Sequence, residues 1–205
     1  MRRRCVQFLA IALCAWLLSG CDRGPTLAPL PPDAVILAFG NSLTHGTGAG
    51  GEPSYPQRLA DLTGHVVVNS GVPGEETDAG LARLPRELAA SKPALVIIAH
   101  GGNDILRRRD LAGTKDNLRR MIALAKNHGA EVLLVGIPKP GVFLRAHPMY
   151  QELADELNVP LEARALSDIL GEAALKSDGI HPNADGYRRL AEVLTAKLRE
   201  SGALP

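Results

Sequence analysis

The feature that most restricts the fold is a regular alternation. Short, β-branched apolar runs at residues 34–39, 66–68, 94–99 and 131–135 read as strands with both faces buried. Helix-length stretches lie between and after them, near residues 55–62, 77–90, 114–128 and 149–157, with a last helix from about 184 to 200 and helix stops at Gly64, Gly129 and Gly171. Strand-helix alternation at this spacing predicts an α/β fold, a three-layer α/β/α sandwich around a central, mostly parallel sheet with right-handed crossovers. The length of 205 residues, 45% of them hydrophobic, suits one such domain, and there is no internal repeat. With 23 Lys+Arg against 22 Asp+Glu and 3% aromatic residues, the chain has neither the basic patch nor the stacking surface of a nucleic-acid binder.

The first residues read as an export signal. Arg2, Arg3 and Arg4 precede an apolar run from Phe8 to Leu18 that is too short to span a bilayer, which needs ~20 residues. It ends in Leu18-Ser19-Gly20-Cys21, which resembles the bacterial lipobox. That resemblance implies a signal peptide over residues 1–20, acylation of Cys21 as the mature N-terminus, and attachment to a membrane of the bacterial envelope on its periplasmic side. Asp22 after the lipidated residue favours retention in the inner membrane. Cleavage there removes Cys5 and Cys14, so Cys21 has no disulfide partner, and leaves 20 basic against 22 acidic side chains, a formal charge of −2. Residues 21–33 include the proline-rich run DRGPTLAPLPPD and read as an extended, mobile tether, with the folded domain expected over 34–202.

In a parallel α/β sheet the carboxyl ends of the strands carry the site. There the sequence is unusual: Gly40-Asn41-Ser42-Leu43-Thr44 follows the first strand, Asn69-Ser70-Gly71-Val72-Pro73-Gly74 the second and Gly101-Gly102-Asn103-Asp104 the third, and Ser177-Asp178-Gly179-Ile180-His181-Pro182 comes late in the chain. These four segments resemble, in order, the blocks of the SGNH (GDSL) hydrolase family. The resemblance implies a flavodoxin-like fold and no metal or organic cofactor. It makes Ser42 the nucleophile, the backbone N–H of Gly74 and the side-chain amide of Asn103 donors to the oxyanion, and Asp178 and His181 the acid and base of an Asp-x-x-His block. One departure stands out: the family's usual Gly-Asp-Ser is Gly40-Asn41-Ser42 here. The Leu81-Ala82-Arg83-Leu84-Pro85 run after the second block is similar to the lysophospholipase, thioesterase and arylesterase branch.

The residue types make the same demands without the family. A serine hydroxyl needs a base for its proton, an imidazole can supply it, and a carboxylate three residues earlier in a tight turn can hold the ring's tautomer. Asp178 also reads as a turn or cap residue ahead of a helix starting near Asn183, and Asp104 as a local cap or turn acceptor. Gly46-Thr47-Gly48-Ala49-Gly50-Gly51 fits a dinucleotide fingerprint but starts too far from the strand, and is expected to be a loop beside the pocket. His45 and the run Arg107-Arg108-Arg109 are expected to face solvent. His100 ends a strand, and no His or Cys spacing suggests zinc. Phe143 and Leu144 are candidates for an acyl pocket. The expected function is hydrolysis of acyl or aryl esters, lysolipids included, through an acyl-enzyme. A carbohydrate O-acetylesterase and a non-catalytic envelope lipoprotein are the alternatives, and the oligomeric state is left open.

Overall fold

A computed structural model describes residues 24–141 and 144–205. The signal sequence, Cys21 and Phe143 lie outside the described residues. In chain order the strands are β1 (Val35–Gly40), β2 (Val66–Gly71), β3 (Leu95–Ala99), β4 (Glu131–Val135), β5 (Pro138–Lys139), β6 (Arg145–Ala146) and β7 (Leu161–Glu162). The helices are α1 (Ser42–His45), α2 (Tyr55–Thr63), α3 (Thr77–Ser91), α4 (Gly102–Leu106), α5 (Leu111–Asn127), α6 (Pro148–Leu157), α7 (Ala165–Gly171) and α8 (Ala184–Glu200).

Five strands form one parallel sheet in the order β2-β1-β3-β4-β7, the doubly wound arrangement in which the strand order reverses at β1. The central strands β3 and β4 read as unbroken apolar runs because helices cover both faces: α2 packs on α8 and α8 on α7, while α3 packs on α5 and α5 on α6. Ile36, Leu37, Ile97 and Ile98 are fully buried, and each such side chain stabilises the fold by about 1.5–3 kcal/mol. Helix ends follow the expected chemistry. Gly64 closes α2 in the left-handed region, Asp110 caps α5 through the N–H groups of Ala112 and Gly113, and Asn183 caps α8 through Gly186.

Three expectations need correction. The strand at residues 66–68 is not buried on both faces: β2 is the sheet edge, with Val66 61% exposed, and it runs on to Gly71. A fifth strand, β7, and the antiparallel hairpin β5–β6 were not expected, since elements of two residues carry no periodicity. Of the segment read as a mobile tether, the described part, residues 24–33, is fastened to the domain. The N–H of Leu27 donates to the carbonyl of Ser201 (2.8 Å) and that of Leu30 to Ala203 (2.9 Å), while the Leu27 side chain is buried. The strap crosses the amino-terminal edge of the sheet, where the N–H of Ala28 donates to Glu131 at the start of β4 and the Pro31 carbonyl meets His65 just before β2.

Candidate active site

The site is assembled at the opposite, carboxyl-terminal edge. β1 ends at Gly40, where a Cβ would collide with Thr44 Oγ1 and the carbonyl of Ala99, so only glycine lets the chain turn this tightly into α1. Asn41, buried behind the turn, caps α1: its Oδ1 accepts the N–H of Leu43 (3.1 Å) and its carbonyl accepts the N–H groups of Thr44 and His45. The amide oxygen thus performs the acceptor role a carboxylate has at such a cap, and the Asn-for-Asp departure leaves the turn intact. Ser42 follows as the first residue of α1, where a backbone N–H has no partner within the helix.

Ser42 Oγ lies 3.0 Å from Nε2 of His181, and Nδ1 of the same ring lies 2.8 Å from Oδ2 of Asp178. The carboxylate fixes the tautomer, with Nδ1–H donating to Asp178 and the Nε2 lone pair facing the serine hydroxyl. The other oxygen of Asp178, Oδ1, accepts the N–H groups of Ile180 and His181, each at 2.8 Å, so turn and partner roles coexist in one side chain. Burial pushes this carboxyl upward, but the hydrogen bonds from the His181 ring and the two backbone N–H groups outweigh it and hold Asp178 below the usual carboxylate range. The turn is braced: Ser177 N–H and Oγ both donate to the His181 carbonyl, and the glycine-rich loop packs against it at Gly48. That loop flanks the site, as expected of it.

Ser42, Asn103 and His181 line one cleft of about 60 Å³, whose apolar wall includes Leu106, Ile137, Pro140, Leu144, Leu170 and Ile180. One N–H of the Asn103 amide donates to the carbonyl of Glu75 (2.8 Å), which orients the side chain and leaves the second N–H available to a ligand oxygen. Gly74 is in the left-handed region (φ 78°), a conformation glycine adopts without strain, in the turn between β2 and α3. It precedes the residue Asn103 holds but is not itself among the cleft-lining residues. His45 is exposed and lies off the cleft.

Sequence reasoning missed what supports this turn. Glu75 receives two hydrogen bonds from Arg83 (Nε 2.9 Å, Nη2 2.7 Å) and one from Nε2 of the fully buried His100 (3.1 Å). His100 Nδ1 accepts the N–H of Gly101, so the ring's hydrogen is on Nε2. Arg83 also donates to Ser70 Oγ and to the Ser70 carbonyl, and its guanidinium lies 4.3 Å over the Phe39 ring. Burial raises the Glu75 carboxyl, yet the hydrogen bonds from His100 and Arg83 and the charge of Arg83 bring it down to about 2. The only hint of this network was the arginine in the Leu81–Pro85 run, since nothing in a linear sequence pairs residues 75, 83 and 100.

One expectation changes accordingly. Asp104 is not a local cap: buried, it accepts the Thr77 hydroxyl (2.6 Å) and N–H across 27 residues and so ties α4 to the start of α3. Arg107 and Arg109 are exposed, as expected, and from the surface both pair with Glu76, while Arg107 also donates to the Gly74 carbonyl (3.0 Å). They clamp the outer side of the turn that Glu75 holds from within.

Comparison with known proteins bears on this arrangement. The GDSL-like Lipase/Acylhydrolase family matches residues 38–189. Esterase TesA of Pseudomonas aeruginosa is 34% identical over 191 residues, 87% of this chain and 94% of that protein. Thioesterase 1/protease 1/lysophospholipase L1 of Escherichia coli K12 is 32% identical over 173 residues, 80% of this chain and 83% of that protein. A crystal structure of TesA superimposes with a TM-score of 0.71 at 33% identity, covering 82% of this chain and 99% of that one. Sheet order, matched length and sequence identity agree, and the chain belongs to the GDSL-like lipase/acylhydrolase family of hydrolytic enzymes.

Proposed function

We propose that the chain is a serine esterase that hydrolyses acyl or aryl esters, with lysophospholipids and acyl thioesters in the same chemical class. The observation that carries this reading is the unbroken hydrogen-bonded line from Asp178 through His181 to Ser42, ending at a cleft that also holds the Asn103 amide. In the proposed reaction Ser42 Oγ attacks the ester carbonyl while His181 Nε2 takes its proton. The tetrahedral oxyanion is met by the N–H of Ser42, the N–H of Gly74 and the Asn103 amide, donors that contribute ~3–4 kcal/mol each where their aim is good. His181 then returns the proton to the departing alcohol, and water, deprotonated by the same imidazole, releases the acid and regenerates Ser42. Asp178 stays ionised throughout and stabilises the imidazolium. The apolar wall of the cleft suits an acyl or aryl group. The names of the relatives, an esterase and a thioesterase/lysophospholipase, support the same class.

A fluorophosphonate probe and p-nitrophenyl esters of graded length test the reading. The wild type is expected to be labelled and to turn over, and the Ser42→Ala variant to do neither; equal labelling of the variant would remove Ser42 as nucleophile. The reading further holds residues 1–20 to be cleaved and Cys21 to be acylated, which keeps the domain at an envelope membrane. Cys21→Ala is expected to abolish incorporation of a labelled fatty acid.

A further inference from the structure

The strap that fastens Leu27 and Leu30 has a consequence for where the enzyme finds its substrate. His181 lies just ahead of α8, and Ser201, which receives the Leu27 N–H, lies just beyond its end. A helix of 17 residues at 1.5 Å each is about 25 Å long. The remaining strap contacts, to Glu131 at the start of β4 and to His65 just before β2, are on the amino-terminal edge of the sheet, while Ser42, Asn103 and His181 are on the carboxyl-terminal edge. The N-terminus therefore leaves the domain at the pole opposite the cleft.

We infer that the strap holds the catalytic cleft away from the membrane to which the N-terminus is attached, so that the substrate is a water-borne ester of small size rather than a lipid embedded in that membrane. This rests on the acylation of Cys21 proposed above. From Cys21 to Leu27 the chain has six residue steps, at most about 20 Å when fully extended. Its root-mean-square span as a free chain is about 14 Å. For the cleft to meet the membrane surface, Leu27 would have to stand about 25 Å above it, and the leash would also have to pass around a domain about 40 Å across. Neither length suffices. If residues 21–33 were all free, the reach would double and the cleft could meet the bilayer; the two hydrogen bonds and the buried Leu27 side chain remove that freedom.

The mature lipoprotein reconstituted in phosphatidylcholine vesicles provides the test. Acylation blocks Cys21, so Thr26→Cys and Ile180→Cys each introduce a single thiol, one beside the strap and one at the rim of the cleft. A donor dye at residue 26 should transfer energy strongly to an acceptor lipid, and one at residue 180 several-fold more weakly. Inserting about 30 Gly/Ser residues after Asp22 adds a reach of about 30 Å and should raise both transfer at residue 180 and hydrolysis of a fluorogenic ester lipid in the same vesicle. Turnover of dissolved p-nitrophenyl acetate should not change. Equal transfer from the two positions in an acylated chain overturns the orientation. A mass spectrum without the acyl group overturns the anchor, and the orientation with it. Loss of p-nitrophenyl acetate turnover in Ser42→Ala supports the hydrolase reading separately, because the dye measurement needs no catalysis.

Discussion

Glu75→Gln perturbs the support of the turn that holds Asn103 with no change of shape. In the wild type the carboxylate accepts three hydrogen bonds from Arg83 and His100 and is held at about 2 against an ordinary 4.5. A folded-state value below the unfolded one contributes stability that is present above the unfolded value and lost as pH falls through 4.5 toward 2. At about 1.4 kcal/mol per pH unit, the displacement corresponds to about 3 kcal/mol at pH 7, decreasing to about 2 kcal/mol at pH 3.5. An amide turns its NH₂ toward either Arg83 or His100, leaves the buried guanidinium with only the more distant Glu87 carboxylate (4.0 Å) as counter-charge, and should forfeit most of that amount. Urea unfolding of wild type and variant at pH 7 and pH 3.5 measures it. A difference below about 1 kcal/mol, or one independent of pH, would refute the reasoning. Because the Glu75 carbonyl also holds Asn103, the variant should lower kcat by roughly tenfold with KM nearly unchanged, a fraction of the 10²–10³ expected when an oxyanion donor is removed outright.

Asn103→Ala should show that full loss, about 10²–10³ in kcat, measured on a p-nitrophenyl ester; an unchanged kcat would take the amide out of the oxyanion site. Asp178→Asn should lower kcat by roughly two to four orders of magnitude, since an amide can hold the ring in the wrong tautomer. Asp178 is held below the usual carboxylate range, so its own protonation should leave kcat/KM untouched down to pH 5; an acid limb above pH 5 that is absent from Asp178→Asn would contradict this. Asp104→Ala leaves the Thr77 hydroxyl and N–H without their acceptor and should cost about 2–4 kcal/mol in thermal or urea unfolding, with KM for ester little altered.

Local pattern carried the architecture and the candidate site residues. β1, β3 and β4 were legible because burial on both faces leaves apolar runs that need no partner to be recognised, and Ser42, Asn103, Asp178 and His181 stand in short polar segments just where strands or turns end. β2 looked like its neighbours because a valine run does not say whether a second strand lies beside it, and β7 was too short to leave any period. Long-range pairing remained for the folded chain to decide. The contacts of Glu75 with Arg83 and His100, of Asp104 with Thr77 and of Leu27 with Ser201 join residues whose separations follow no repeat, so composition and spacing do not pair them. Chemistry at a strand end depends on which residue stands there, whereas its support and its orientation depend on what the rest of the chain packs against it.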